Sequence, residues 1–524
     1  MPNRSSDTLF QLIKSLEKSE KRNFKLYIKR NSGSEELKSI QLFDALDKMD
    51  EYDENQLLKK NPSIRKQQLS NAKAHLYREI LSSLRLIRNE SNIDMELHEQ
   101  LDYARILYNK GLYLQSLKTL DRIKENAKAH NQVTFLLQVL FFEKTIEALH
   151  ITRSMQDRAD RLVAEVDEVN DHLGLISQLS NLSLQLYSWY IRHGVARSEK
   201  DEVAVKEYFE RNLPADLRLV KGFYERLYLY QSYCWYAFIR QDFLLYYRYT
   251  QRWVDLFEKE PFMLEIETSH YIKGMHNLLG AHFDLLNYKK FNEALGAFER
   301  FSESPIVVNN VNNRIQTFVY LYISKLNKHF IDGTFTEGLS LVPYVEEKLK
   351  EYWIYLDRHR ILVFYYKIAC LYFGSGDYER TIDYLNKIIN WKVDLRNDIQ
   401  CYARLLHLIA HYELGNFDLL EYLTKSVYRF MSKMEGLSLV EEEIFRFLRK
   451  SFNLSPDRIK PELGKLLEKL KKYEKNRFET RAFVYLDIIS WLESKIRNVP
   501  VQDVIREKFM TGTGGRRGPG EVKS

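Results

Sequence analysis

Residues 371–391 read LYFGSGDYERTIDYLNKIINW, and this stretch decides how the rest of the chain is interpreted. Gly376 allows a tight turn, because glycine tolerates positive φ. Asp377 is suited to cap the helix that follows, since its carboxylate can accept a free backbone amide. From Tyr378 to Leu385 the apolar residues recur at helical spacing. The stretch therefore predicts the turn of a helical hairpin.

The same pattern recurs along the chain, as a turn, an aromatic residue and then an apolar helical face. A single hairpin of this kind cannot bury its apolar faces, so a neighbouring copy must cover them. The sequence therefore predicts an array of stacked hairpins. The further copies are NKGLYLQSLKTLDRI from Asn109, NYKKFNEALGAFERF from Asn287, IDGTFTEGLSLVPYV from Ile331 and ELGNFDLLEYLTKSV from Glu413.

The residues around these turns resemble the tetratricopeptide repeat (TPR), in which a large and a small residue precede a turn glycine and an aromatic residue. The copy that contains residues 371–391 begins before this stretch. Its matching residues are Tyr365, Ile368, Ala369, Tyr372, Gly376, Tyr378 and Leu385, with Thr381 at the usual alanine position. The turn aromatics fall at residues 113, 243, 291, 335, 378 and 417. In the copy with Phe291, Lys289 replaces the turn glycine.

The copies are longer than the family's minimum. Their spacings from Phe243 onward are 48, 44, 43 and 39 residues, whereas the usual repeat has about 34. The wider gap between Tyr113 and Phe243 leaves room for two degenerate copies, near Met155 and near Val195.

The resemblance implies an all-α fold, in which residues 96–440 form a right-handed α-solenoid of TPR-like helical hairpins. Residues 1–95 read as a basic helical N-terminal region, and residues 441–510 as a basic helical C-terminal cap. The last stretch, residues 511–524, reads TGTGGRRGPGEVKS. It has too few apolar side chains to pack a core, and we expect it to be disordered.

Composition places the chain among folded soluble proteins. Its 524 residues are 45% hydrophobic and 29% charged. No segment approaches the roughly 18 uncharged apolar residues of a membrane span, and the N-terminus lacks the apolar run of a signal peptide. The 3 cysteines are too few and too scattered for a disulfide framework. These features predict a cytoplasmic protein.

Charge is distributed unevenly along the chain. The net charge is +7, and the windows 4–30, 57–88 and 445–481 sum to +5, +7 and +7. The remaining residues therefore carry a net charge of about −12. Basic ends and an acidic middle create a field that can steer charged partners.

Few residue patterns carry chemistry. His407 and His411 have the i, i+4 spacing of a zinc pair, but HLIAH lacks the glutamate of a metalloprotease motif, so core packing is favoured over metal binding. The G-x-G of FGSGDY follows no strand, and TGTGGRRG lacks the lysine and helix of a phosphate loop. Cys234 and Cys370 occupy the small-residue position of the repeat. We assign no catalytic residue, metal ligand or cofactor, and we predict that the protein is not an enzyme.

The resemblance implies a binding surface, because certain first-helix positions of this family face a concave groove. Exposed aromatic rings there give a protein partner a large contact area. The alternative is that longer helices close the groove and the rings belong to the core. The positions carried over to this chain are Arg105, Tyr108, Asn109, Tyr228, Gln231, Trp235, Phe238, His276, Phe283, Asn287, Tyr320, Asn327, Phe330, Tyr366, Phe373, Tyr402 and Tyr412.

Our reading is a non-enzymatic cytoplasmic adaptor that holds a protein partner along this groove. The alternative is a nucleic-acid- or ribosome-associated regulator, whose basic side chains replace the counterions of phosphates. A solvated helix face explains the same charges without a ligand. The residues of the nucleic-acid alternative are Arg65, Lys66, Lys73, Arg78, Arg85, Arg516 and Arg517.

Overall fold

The computed structural model describes residues 7–30, 36–60, 66–86, 92–150, 158–391, 397–434, 438–451, 456–474, 476, 478–479 and 487–511. The chain divides into two compact units, residues 1–96 and 97–524. Every regular element in the described ranges is a helix and none is a strand, so the predicted all-α class is confirmed. None of the helices in these ranges combines the length and the apolar character needed to cross a membrane.

The first unit is a small helical bundle. Its helices are α1 (Thr8–Ser15), α2 (Lys18–Arg30), α3 (Glu36–Asp47), α4 (Glu54–Lys60) and α5 (Lys66–Leu86). Asp7 caps α1 by accepting the backbone N–H of Phe10 at 3.1 Å. Both α1 and α2 pack against α3 and α5, and the rings of Phe24 and Phe43 meet in the core with centroids 4.8 Å apart. Burial of these apolar faces stabilises the bundle.

The second unit contains the repeat-like helices. Its first part comprises α6 (Ile93–Asn109), α7 (Tyr113–Ala129), α8 (Val133–His150), α9 (Arg158–His193), α10 (Glu199–Asn212), a 3₁₀ turn (Leu217–Leu219), α11 (Phe223–Ile239), α12 (Phe243–Lys259), α13 (Met263–Ile266), α14 (Thr268–Asp284), α15 (Tyr288–Ser302) and α16 (Pro305–Val308). The unit boundary falls inside α6, after Glu96.

The unit continues with α17 (Val311–Asp332), α18 (Phe335–Gly338), a 3₁₀ turn (Leu339–Leu341), α19 (Val342–Glu351), α20 (Arg358–Ser375), α21 (Tyr378–Ile389), α22 (Asn397–Glu413), α23 (Phe417–Met434), α24 (Leu439–Ser451), α25 (Pro456–Tyr473), α26 (Ile488–Arg497) and α27 (Val501–Met510). Helices α11 and α12, α14 and α15, α20 and α21, and α22 and α23 pack pairwise as hairpins. The first helices α14, α17, α20 and α22 also contact one another in chain order.

A common turn starts the second helix of each hairpin. Helices α7, α12, α15, α18, α21 and α23 each begin two residues after a residue with positive φ: Gly111, Gln241, Leu286, Gly333, Gly376 and Gly415. Four of these are glycine, as the left-handed conformation favours. Five of the six helices begin at the aromatic residue that the sequence pattern marks as the turn aromatic.

The copy with Phe291 differs from its sequence interpretation. Its second helix, α15, begins at Tyr288, and the positive φ lies at Leu286 and not at Lys289. The side chain of Asn287 accepts the backbone N–H of Lys290 at 3.3 Å, and this cap fixes the start of the helix.

The region between Tyr113 and Phe243 holds longer helices. Helix α9 alone runs for 36 residues. Val195 lies in the turn between α9 and α10, while Met155 lies outside the described residues.

The C-terminal helices share a core with the repeat-like helices. Residues 441–510, read as a cap from the sequence, fall in the second unit, and one apolar cluster extends from Ile315 to Ile505. The indole Nε1 of Trp491 donates to Glu413 at 2.5 Å. A Cβ on Gly333 would lie 2.5 Å from the backbone nitrogen of Arg506, so glycine allows α27 to approach the α17–α18 turn. Helix α27 thus packs against α17 and α20.

Candidate functional site

Side chains of three neighbouring first helices meet on one face, which we call the α14–α17–α20 face. The imidazole of His276 on α14 stacks on the ring of Tyr320 on α17, with centroids 4.4 Å apart. The Nζ of Lys273 lies 5.0 Å from the centroid of the same Tyr320 ring. All three side chains are half-buried, so this face combines an aromatic surface with an ammonium group.

Lys367 on α20 completes this face. Its Nζ donates to Oδ1 of Asn327 at 2.5 Å and lies 5.4 Å from the ring centroid of Phe330. Asn327 follows Tyr320 by seven residues on α17, or two helical turns, so the two side chains lie on the same side of that helix. The face therefore carries two lysines, one histidine and one amide between aromatic rings.

The lysines on this face are not paired with carboxylates of the described residues. Neither Lys273 nor Lys367 forms an ion pair with a carboxylate of the described residues. Burial lowers the pKa of Lys367 to about 8, and the neighbouring Cys370 and Asp284 offset that only in part. Burial also lowers the pKa of His276 well below its ordinary value, and the positive charges of Lys273 and Lys367 act in the same direction.

The remaining groove positions predicted from the sequence fall into three groups. Gln231 is buried, and so are Tyr366, Phe373, Tyr402 and Tyr412, whose rings belong to the apolar cluster that the C-terminal helices complete. Those rings present almost no surface to a partner. The half-buried positions are Tyr108, Tyr228, Trp235, Phe238, Phe283, Tyr320 and Asn327, and the exposed ones are Arg105, Asn109 and Asn287.

Trp235 lies at the centre of a second group of aromatic rings. Its ring is 4.8 Å from Tyr187 and 5.6 Å from Tyr190, both on α9. Phe238 packs edge-on against Trp235 at 6.3 Å. Tyr187 is 42% exposed, so this cluster reaches the surface and offers amphipathic rings to a partner.

The sequence pattern marked Tyr366 as a groove residue and missed its neighbour Lys367. Successive helical residues differ by about 100° around the axis, so a shift of one position exchanges a surface side chain for a core side chain. Because α20 is apolar on nearly every side, its sequence alone does not set that rotation.

The basic residues of the nucleic-acid alternative are not equally available. Lys66, Arg78 and Arg85 are exposed on α5. Lys73 instead pairs with Asp7 and donates to the hydroxyl of Tyr52 at 2.9 Å. Burial alone lowers the pKa of Lys73, but Asp7 and Tyr52 outweigh it and raise that pKa overall. Arg65, Arg516 and Arg517 lie outside the described residues.

A second row of basic residues lies along one face of α2 in the same unit. Lys18, Lys21, Arg22, Lys25 and Lys29 line a shallow depression together with exposed Leu26. Lys21 pairs with Asp47 and Lys25 with Asp44, each at 2.6 Å. The charge excess of residues 4–30 indicates a basic surface on this helix. The i, i+3, i+4 and i+7 spacing of the four lysines and the arginine places them on one face of it.

The residues that resembled a metal or thiol site are packed in the interior. The rings of His407 and His411 lie 4.5 Å apart and both side chains are buried. Burial, with the nearby His411 and Arg404, lowers the pKa of His407 to about 4. Among the described residues, no three His, Cys, Asp or Glu side chains are grouped to hold a metal ion. Cys234 and Cys401 are buried and Cys370 is half-buried, and all three are present as thiols.

Comparison with known proteins adds no relative: no family model, curated protein or solved structure matches this chain.

Proposed function

We propose that the protein is a non-enzymatic cytoplasmic adaptor. In this proposal residues 96–440 form a right-handed α-solenoid of TPR-like hairpins, and a protein partner binds along the first-helix faces. Recognition rests on surface complementarity, with half-buried aromatic rings as the main contacts.

One observation carries the proposal. Side chains from successive first helices converge. The rings of His276 and Tyr320 stack with centroids 4.4 Å apart, and the Nζ of Lys367 donates to Oδ1 of Asn327 at 2.5 Å. Side chains from separate hairpins therefore share one surface and could engage one ligand together. Aromatic rings are enriched at protein interfaces, and desolvated cations without a carboxylate partner are typical of functional sites.

The test is affinity capture from an extract of the cells that make the protein, followed by mass spectrometry. We expect wild type to retain a defined protein that Trp235→Ala loses, while Trp353→Ala retains it. Trp353 is a matched control because it is 43% exposed and stacks on Trp391, away from the α9–α11 rings. Arg105→Glu, at an exposed position, repeats the test without disturbing the core.

Two results would refute the adaptor. The first is that no protein is captured reproducibly. The second is that Trp235→Ala and Arg105→Glu both retain every captured protein while their circular dichroism and melting curves match wild type.

A second function is favoured by the basic row on α2 beside the exposed cations of α5. These helices pack against each other, and Lys18, Arg22, Lys66 and Arg78 are exposed. Nucleic-acid binding through them would weaken steeply with salt, because each phosphate contact releases counterions. Replacing Lys18 and Arg22 with Gln should then reduce that salt dependence. Binding that ignores salt, or no binding, would exclude this function.

A further inference from the structure

We infer that the α14–α17–α20 face binds a phosphate monoester, held by Lys273, Lys367 and Asn327. The inference rests on the proposed adaptor function in one respect: we place the phosphate on a side chain of the partner segment. The site itself can be tested without knowing the partner.

The two lysines on this face have no carboxylate partner at ion-pair distance among the described residues. Lys273 contacts the Tyr320 ring, and Lys367 donates only to Oδ1 of Asn327. With its Oδ1 accepting from Lys367, the Asn327 side chain still has its amide nitrogen as a donor. The Nδ1 of His276 is buried without a hydrogen bond in this part of the structure. The two ammonium groups and the Asn327 amide nitrogen are therefore available to bind an anion.

The lysines of α17, the helix between α14 and α20, behave differently. Lys325 on α17 pairs with Glu299 at 2.9 Å, and Lys328 pairs with Asp332 at 3.3 Å. The chain thus provides carboxylates for lysines that need only be neutralised. Lys273 and Lys367 lack them, although a half-buried ammonium is costly without a counter-charge.

The charge and the number of donors favour phosphate over a carboxylate. A phosphate monoester carries about −1.5 to −2 charges at neutral pH and three acceptor oxygens. Two ammonium groups and one amide N–H₂ match those oxygens, and lysine binds phosphate as a point charge. A carboxylate has one charge and two oxygens, and would leave one donor unmatched. Asp284, at the end of α14, acts on Lys367 at longer range but forms no ion pair with it.

The aromatic rings define how the phosphate would enter. Tyr320 and Phe330 flank the two ammonium groups, so the carbon chain that bears the phosphate would lie against apolar ring surface. Phosphate on a flexible side chain can reach this site, whereas a nucleic-acid backbone carries diesters with one charge per phosphate.

The experiment is titration calorimetry of the full chain with inorganic phosphate and with short amidated glycine–alanine peptides that contain phosphoserine, glutamate or serine. We expect the phosphoserine peptide to bind more tightly than inorganic phosphate, and the glutamate and serine peptides to bind at least about tenfold more weakly. Lys273→Met with Lys367→Met should weaken the phosphoserine peptide about tenfold or more. Lys325→Met is the matched control and should leave the affinity for the phosphoserine peptide unchanged.

Each other outcome has a definite meaning. Equal binding of the phosphoserine and glutamate peptides would overturn the assignment to phosphate. Equal binding of inorganic phosphate and the phosphoserine peptide would overturn its placement on a partner segment. Binding unchanged in the folded double variant, or equally strong binding of dimethyl phosphate, a diester, would overturn the site. The adaptor fails separately, if capture shows no Trp235-dependent protein although phosphate binds.

Discussion

Two groups of half-buried cations in the second unit are built in opposite ways. Between α7, α8 and α9, the ammonium of Lys124 lies 2.8 Å from Glu143 and 3.3 Å from Glu165. The guanidinium of Arg158 lies 2.8 Å from Glu143 and 2.6 Å from Glu147. Each cation here meets carboxylates. On the α14–α17–α20 face, Lys273 and Lys367 meet an amide and aromatic rings instead.

The electrostatic consequences are opposite as well. Burial alone lowers the pKa of Lys124, but Glu143 and Glu165 outweigh it and hold that pKa above its ordinary value. For Lys367 burial prevails, and the pKa falls to about 8. A matched cluster fixes helices against one another, whereas an unmatched one keeps its charge for a ligand. The contrast separates a folding element from a proposed binding element in one chain.

The largest expected effect is in the matched cluster. Glu143→Gln removes the negative charge between Lys124 and Arg158, which are left with Glu165 and Glu147 as their nearest carboxylates. Breaking a buried ion pair in this way costs about 3–5 kcal/mol in the free energy of unfolding, measured by chemical denaturation. Glu125 is an 80% exposed carboxylate near Lys128. Glu125→Gln should change the free energy of unfolding by less than about 1 kcal/mol. Equal effects of the two substitutions would show that the buried position of Glu143 gives its ion pairs no added weight in folding.

An intermediate effect should appear in the pH dependence of stability. The pKa of Lys367 is about 8 in the folded chain and near its ordinary value of about 10.4 when unfolded. Between these values the unfolded state binds more protons, so this lysine makes the free energy of unfolding rise with pH from about 8 to 10.4. The free energy of unfolding of wild type minus that of Lys367→Met should rise by roughly 1–3 kcal/mol across that pH window. A flat difference would mean that Lys367 is not desolvated.

The smallest expected effect concerns the glycine- and arginine-rich end. Deleting residues 511–524 should leave the melting temperature unchanged, because they have too few apolar side chains to pack a core. Differential scanning calorimetry of the shortened and full chains makes the comparison. A fall of about 4 °C or more would show that this stretch contributes to folding.

Much of the fold could be predicted because its signals are local. Gly376, Asp377 and Tyr378 mark a turn, a cap and a helix start within three residues, and the structure has α21 beginning at Tyr378. Local signals were insufficient where other residues take the glycine position. Leu286 adopts positive φ in place of a glycine, so the pattern placed that turn three residues late.

The candidate site was harder to predict because contacts between distant segments decide it. The groove rings Tyr366, Phe373 and Tyr402 lie in a core that includes Trp491 and Ile505, and nothing near those rings in sequence announces this packing. Asn327 and Tyr320 could be carried over from the repeat pattern. Their partners Lys367 and Lys273 could not, because they are defined by the rotation of α20 and α14 against α17.

The most direct test of the central claim is the free energy of unfolding of two variants, Lys124→Met and Lys367→Met, measured side by side at neutral pH. We expect Lys124→Met to lose about 3 kcal/mol, because Glu143 and Glu165 lose the cation they share and keep only Arg158 and Lys128, respectively. We expect Lys367→Met to be as stable as wild type or more so, since an apolar side chain replaces an unmatched charge. A loss in Lys367→Met as large as that in Lys124→Met would contradict the claim, because Lys367 would then be a folding residue.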